Sequence, residues 1–152
     1  MNDNTWKNDI QNLIASTHIA FLSTMGERSP ETSMCPYAIL NGDIVLHLSG
    51  LAKHTKNIQK NTNVGLMICT PETPESSPLA LARISFTGMI EPVPQNKQNI
   101  YQQAYLNKIP DAEPLFSFPD FTLYRIKVDS AHWVGGFGKA RKVPLATWKS
   151  LC

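Results

Sequence analysis

The sequence predicts an α+β domain in which six or seven mainly antiparallel strands close toward a barrel, with helices at the corners. Three observations carry that expectation. Short β-compatible runs recur along the chain, punctuated by glycine, proline and asparagine turns. Asn41-Gly42 separates two of these runs, which is the signal of a two-residue hairpin. Amphipathic helical stretches stand between antiparallel neighbours, and no internal repeat is visible.

The first element is a helix, because Trp6, Ile10, Leu13 and Ile14 recur on one helical face, with Asp3 or Asn4 as its cap. A strand from His18 to Met25 follows and ends at Gly26. The second strand spans Thr32 to Leu40, and the third runs from Asp43 to Leu48 beyond the hairpin. Leu51 to Asn61 reads as a helix. Its Leu51, Thr55 and Ile58 share one face and its Lys53, Lys56 and Lys60 another. The fourth strand is Asn63 to Thr70. Three prolines between Pro71 and Pro78 forbid helix and central strand, so this acidic stretch is a solvent loop. The fifth strand covers Leu79 to Glu91. A helix over Gln95 to Leu106 turns Ile100, Ala104 and Tyr101 inward, and a loop crosses Asn107 to Pro119. The sixth and seventh strands are Phe121 to Val128 and Ala131 to Phe137. Pro144 suits the first turn of a final short helix.

Length and composition fit one domain over residues 1–152, with 42% hydrophobic residues to build its core. Lysine and arginine number 14 and the acids 12, a net charge of +2, too weak to argue for nucleic acid. The apolar runs are too short for a membrane span, and the N-terminus carries no signal-peptide pattern. Cys35, Cys69 and Cys152 are odd in number and widely spaced. This points to reduced thiols in a cytoplasmic protein, with neither a disulfide framework nor a structural zinc site. There is no Rossmann glycine fingerprint, P-loop, nucleophile elbow or zinc-helix motif.

One segment has the physics of a phosphate site. In Ser49-Gly50-Leu51-Ala52-Lys53-His54-Thr55-Lys56-Asn57 a strand ends, a small-residue turn follows and a helix begins. The opening N–H groups of a helix lack internal partners and lie at the positive end of its dipole. Ser49, Lys53, His54 and Lys56 add donors and charge within the same turns. A solvated basic face capped by Ser49 would carry the same residues. Ser33-Met34-Cys35-Pro36 places a proline inside a strand, which marks an edge, a bulge or a ligand-facing position. Trp133-Val134-Gly135-Gly136-Phe137-Gly138 sets three glycines beside two aromatics. That composition lets backbone approach a flat ring, or simply ends a strand.

Together these residues resemble the pyridoxamine 5′-phosphate oxidase-like FMN-binding split-barrel family over about Trp6 to Val143. The most specific matches are Leu51 to Ile58 and His132 to Ala140, which look like the branch of the haem-utilisation split-barrel proteins. The resemblance implies a split barrel, bound FMN, and a homodimer with the flavin at the subunit interface. It implies phosphate contacts from Ser49, Lys53, His54 and Thr55, and a flavin edge along Ser33, Met34, Cys35 and Pro36. It also places Trp133, Gly136 and Phe137 near the flavin, from the partner subunit. The C-terminal stretch Leu145 to Cys152 has no match to the basic substrate segment of the vitamin-processing oxidases, so their reaction is not expected.

The expectation is therefore an FMN-dependent oxidoreductase, in which the flavin carries the redox chemistry and no residue stands out as general acid or base. One alternative is a flavin-binding module without turnover. The other is a haem-binding or haem-degrading protein, for which His18, His47, His54 and His132 are the available axial ligands.

Overall fold

A computed structural model describes residues 4–152. Helix α1 (Thr5–Ser16) leads into strands β1 (Ile19–Met25), β2 (Pro30–Pro36), β3 (Ala38–Leu40) and β4 (Asp43–Ser49). Helix α2 (Lys53–Lys60), β5 (Asn63–Cys69), β6 (Arg83–Pro92) and α3 (Gln98–Lys108) follow, then β7 (Phe121–Val134), β8 (Ala140–Val143) and α4 (Leu145–Leu151). All strand pairs are antiparallel, in the order β2-β1-β5-β6-β7-β4-β3, with β8 paired to β7 outside that path.

The two ends of this order, β2 and β3, are joined by a single residue, Tyr37, so the sheet curls until its edges meet. The expected strand from Thr32 to Leu40 is thus two strands. Tyr37 is fully buried, its N–H donates to the His18 carbonyl (3.2 Å), and its hydroxyl lies 2.7 Å from Thr17 Oγ1. These contacts hold the corner where the chain leaves β1 and turns to pair with β4. The Asn41-Gly42 turn has positive φ at both positions (52° and 82°), the geometry that a tight hairpin demands and that asparagine and glycine tolerate.

The expected sixth and seventh strands are one strand, β7. Thr87 pairs with Ser130 and Gly88 with Val128, leaving Asp129 as a bulge. A Cβ on Gly88 would meet the Lys127 carbonyl at 2.4 Å, so the close approach at this bulge requires glycine. Residues after Val134 form the glycine turn into β8, a strand absent from the sequence reading. Other differences are local. A 3-10 turn at Pro78–Ala80 precedes β6, and another at Pro110–Ser117 fills much of the expected loop after α3. Tyr101 and Tyr105 face inward on α3 while Ile100 is exposed, and Leu51 lies outside α2 and is exposed. Asn4 makes no side-chain cap on α1, and Asp3 lies outside the described residues.

The main core fills the curled sheet. Leu22, Leu46, Ile68, Ile84 and Trp133 meet Ile10 and Leu13 of α1 and Trp148 of α4 there. Trp148 closes the barrel end, donating Nε1–H to the Gly42 carbonyl (2.9 Å) and packing on Phe86. A second core lies outside the barrel, where Val45 and Leu123 meet Tyr101 and Tyr105 of α3. Alternation explains the two cores: Ile44, Leu46 and Leu48 face inward, while Val45 faces α3. On β1, β2 and β6, by contrast, outward Phe21, Met34 and Met89 are exposed.

Candidate functional site

Strand β2 is the edge of the sheet, as the prolines at Pro30 and Pro36 require, because only β1 pairs with it. Its alternate residues Glu31, Ser33 and Cys35 are more buried than Thr32 and Met34, and the side chains of Glu31 and Ser33 reach α2. Helix α2 begins after Ala52, an extended residue that offers no side-chain cap. The first N–H groups of α2 are thus without a capping side chain beside β2.

Between β2 and α2 lies an open cleft of about 560 Å³, lined by residues that include Thr24, Glu31, Ser33, Lys53, His54 and Asn57. Ser33 Oγ is 2.9 Å from His54 Nδ1. Lys53 Nζ pairs with Glu31 Oε2 at 2.6 Å, and Asn57 Nδ2 donates to Glu31 Oε1 (2.7 Å) and to Thr24 Oγ1 (3.0 Å). Hydrogen bonds from Lys53 and Asn57 hold the Glu31 carboxyl below its usual range. Partial burial lowers the pKa of His54, which biases its imidazole toward the neutral form. Its Nε2 has no hydrogen-bond partner among the described residues.

The structure thus brings together Ser33, Lys53 and His54. Thr55 stands behind them, 1% exposed, its Oγ1 without a partner. Ser49 is engaged elsewhere. Its hydroxyl donates to Asp120 Oδ2 (3.0 Å) and accepts from the Leu51 N–H (3.1 Å), so it caps the turn before α2. Met34 points outward and is 56% exposed. Cys35 points into the core, where burial pushes its thiol up to about 12. Pro36 ends β2. Trp133 belongs to the core of its own chain. Gly136 (φ 126°) is buried near the Ala80 carbonyl, and Phe137 beside it is 63% exposed. Trp133 lies in β7 and the other two follow it; β7 is four places from β2 in the sheet, and none of the three lines the cleft.

Glu31, Asn57 and Thr24 escaped the sequence reading. Two of them had a signal: Glu31 lies two residues before Ser33 on the same strand face, and Asn57 lies one helical turn after Lys53 and His54. The other histidines differ. His47 is stacked on Phe116 with ring centroids 3.8 Å apart, its Nδ1 is buried and unpartnered, and burial pushes its pKa down to about 4. His18 and His132 are exposed. Among the described residues no cluster of three or more histidine, cysteine or acidic side chains could hold a metal ion, and no helix is long and apolar enough to cross a membrane.

Residues 12–150 match the family model described as CREG, beta-barrel. The chain is 27% identical over 119 residues to heme oxygenase HutZ of Vibrio cholerae, covering 75% of this chain and 66% of HutZ. A heme binding protein from Mycobacterium smegmatis superposes with a TM-score of 0.86 at 26% identity, over 95% of this chain and 60% of that one. A Clostridium acetobutylicum protein of the pyridoxinephosphate oxidase family, related to a general stress protein, superposes with a TM-score of 0.72 at 14% identity, over 97% and 99% of the two chains. The last shows a shared fold. The chain spans less than two thirds of the length of the first two. With an edge strand and α2 framing a cleft on a curled antiparallel sheet, this split-barrel chain belongs to the CREG β-barrel family.

Proposed function

We propose that this protein binds haem at the β2–α2 cleft, in the manner of a haem-utilisation protein, and that His54 faces the iron. One observation carries the reading: His54 is a half-buried imidazole, biased by burial toward its neutral form, whose Nδ1 is held by Ser33 and whose Nε2 has no partner among the described residues. A histidine ligand must present an unprotonated nitrogen, and its other nitrogen is ordinarily held by a hydrogen bond. With Nδ1–H donating to Ser33 Oγ, the Nε2 lone pair is left for a metal. His47 is enclosed by aromatic rings, and no side chain orients His18 or His132. Lys53 at the cleft mouth, with a side chain 78% exposed, is placed to pair with a propionate. The similarity to the heme oxygenase HutZ and to the mycobacterial heme binding protein supports haem as the ligand. Bound haem supplies an iron centre for storage or for redox chemistry. The protein's part is to orient one imidazole and to neutralise carboxylates.

Titration of the full chain with haemin tests this. A saturable shifted Soret band is expected, and His54→Ala should lose that shift. A His54→Ala spectrum identical to that of the unmodified protein removes His54, and no shift at all ends the haem reading.

FMN is the second reading, and the N-terminus of α2 favours it. That end has no side-chain cap, and the edge of β2 away from β1 offers unpaired backbone groups to a ring. Glu31 competes with a phosphate for the Lys53 ammonium just as it does with a propionate, so this pair does not separate the two readings. On this reading Lys53→Ala weakens FMN binding roughly ten- to a hundredfold, read from quenching of flavin fluorescence. We also infer a homodimer, since Ile19, Phe21 and Met34 leave an apolar outer face on β1 and β2. Sedimentation as a monomer at micromolar concentration would overturn that inference.

A further inference from the structure

We propose that a second cavity, between α1, α3, β3 and the end of α4, binds a small amphiphilic carboxylate, its apolar body among Ile14, Ile39, Ala104 and Leu151 and its headgroup on Lys108. The cavity measures about 510 Å³, within the range of small-molecule sites, and shares no lining residue with the β2–α2 cleft. It owes nothing to the haem reading.

Its walls follow from the fold. Part-buried Ile14 of α1 faces the corner at Tyr37 and the short strand β3, and Ala104 and Lys108 of α3 complete the far side. Gln11 Nε2 donates to the Leu151 carbonyl (3.2 Å), tying α1 to α4 beside the cavity. No aspartate or glutamate side chain lines it, and Lys108 is its one basic residue.

Lys108 is the informative group. Its Nζ donates to the Ile14 carbonyl (2.6 Å) and, more weakly, to that of Ala15 (3.4 Å) at the end of α1, and it lies 5.5 Å from the centre of the Tyr37 ring. Every one of these partners is neutral. Lys53 and Arg125 both have carboxylate partners, whereas Lys108 forms no ion pair with any described residue. Partial burial already disfavours its charged form. An ammonium carries three hydrogens, so one donor remains beyond the two carbonyls. A ligand that brings an anion on an apolar stem supplies the missing counter-charge and covers the exposed walls in one step.

Decanoate, with decanol as its uncharged counterpart, tests the site by calorimetric titration of the full chain. Decanoate should bind saturably, about tenfold more tightly than decanol. Lys108→Gln should abolish that preference. Because Lys108 also caps α1, a second variant, Ala104→Phe, narrows the cavity from the α3 wall and should weaken both probes while leaving the haemin spectrum unchanged. Equal binding of the two probes, or an undiminished preference in Lys108→Gln, would overturn the proposal. So would unaltered decanoate binding in Ala104→Phe.

Discussion

Two ion-pair clusters, one between β2 and α2 and one across β4, β6 and β7, differ in what surrounds them. Beneath α3, Arg125 is 6% exposed and gathers Glu91 (2.9 Å), Asp43 (3.8 Å) and the Tyr101 hydroxyl (3.0 Å), which itself donates to Asp43 (2.7 Å). At the β2–α2 cleft, Lys53 and Glu31 form a closer pair, yet the Lys53 side chain is 78% exposed. The Arg125 cluster is locked by burial of the arginine and by partners on two other strands and a helix. The Lys53 cluster is open to water and can exchange partners. Distance alone would rank them the wrong way for stability, because water screens the shorter contact. The same exposure leaves the cleft able to accept a ligand, while the closed network can only hold α3 in place.

The sharpest way to break this contrast is Arg125→Met. Removing the cation strands the half-buried Asp43 while the more exposed Glu91 turns to water, and should destabilise the fold by about 2 kcal/mol, measured by denaturant unfolding. A change below experimental error would mean that the network does not anchor α3. Ser33→Ala comes next. It frees the His54 ring and should weaken haem binding about ten- to a hundredfold, as loss of a hydrogen bond behind a metal ligand does, with the unfolding midpoint little changed. Retained affinity would separate Ser33 from the site.

His47 offers a test of the α3 side by pH. Its folded pKa, about 4, lies below the unfolded value of 6.5, so the unfolded chain takes up the proton first. Stability should fall as pH drops from about 6.5 toward 4. His47→Phe keeps the stack on Phe116 and should flatten part of that dependence in thermal scans; His54, shifted the same way, accounts for a remainder. An unchanged slope would mean that His47 does not titrate with folding. The smallest effect is expected from Glu31→Gln. The melting temperature should not move, and the released Lys53 should tighten haem binding a few-fold at low ionic strength. A large drop in melting temperature would show that the exposed pair is structural after all.

Much of the fold was legible from local signals. Asn41-Gly42 announced its hairpin because few other residues accept positive φ twice in succession. Pro36 announced an edge, a bulge or a ligand-facing position because it cannot donate to a second neighbour, and β2 is an edge. The bulge at Asp129 misled, since Asp129-Ser130 looks like a turn when the partner strand is unseen. Strand β8 was missed because three of its four residues are exposed and carry no alternating pattern. Within the site, Lys53 and His54 were visible as the start of a helix after a strand. The partner of Ser49 could not be seen, because its acceptor, Asp120, lies far along the chain.

The residues themselves determined the elements, the basic start of α2 and the edge character of β2, because these depend on neighbours within a turn or a hairpin. Which side chains meet was settled by the curl of the sheet. It set Ser33 against His54 across 21 positions, gave Lys53 an acid and left Lys108 with none. Contacts of that kind depend on where distant backbones cross, and no local pattern encodes that.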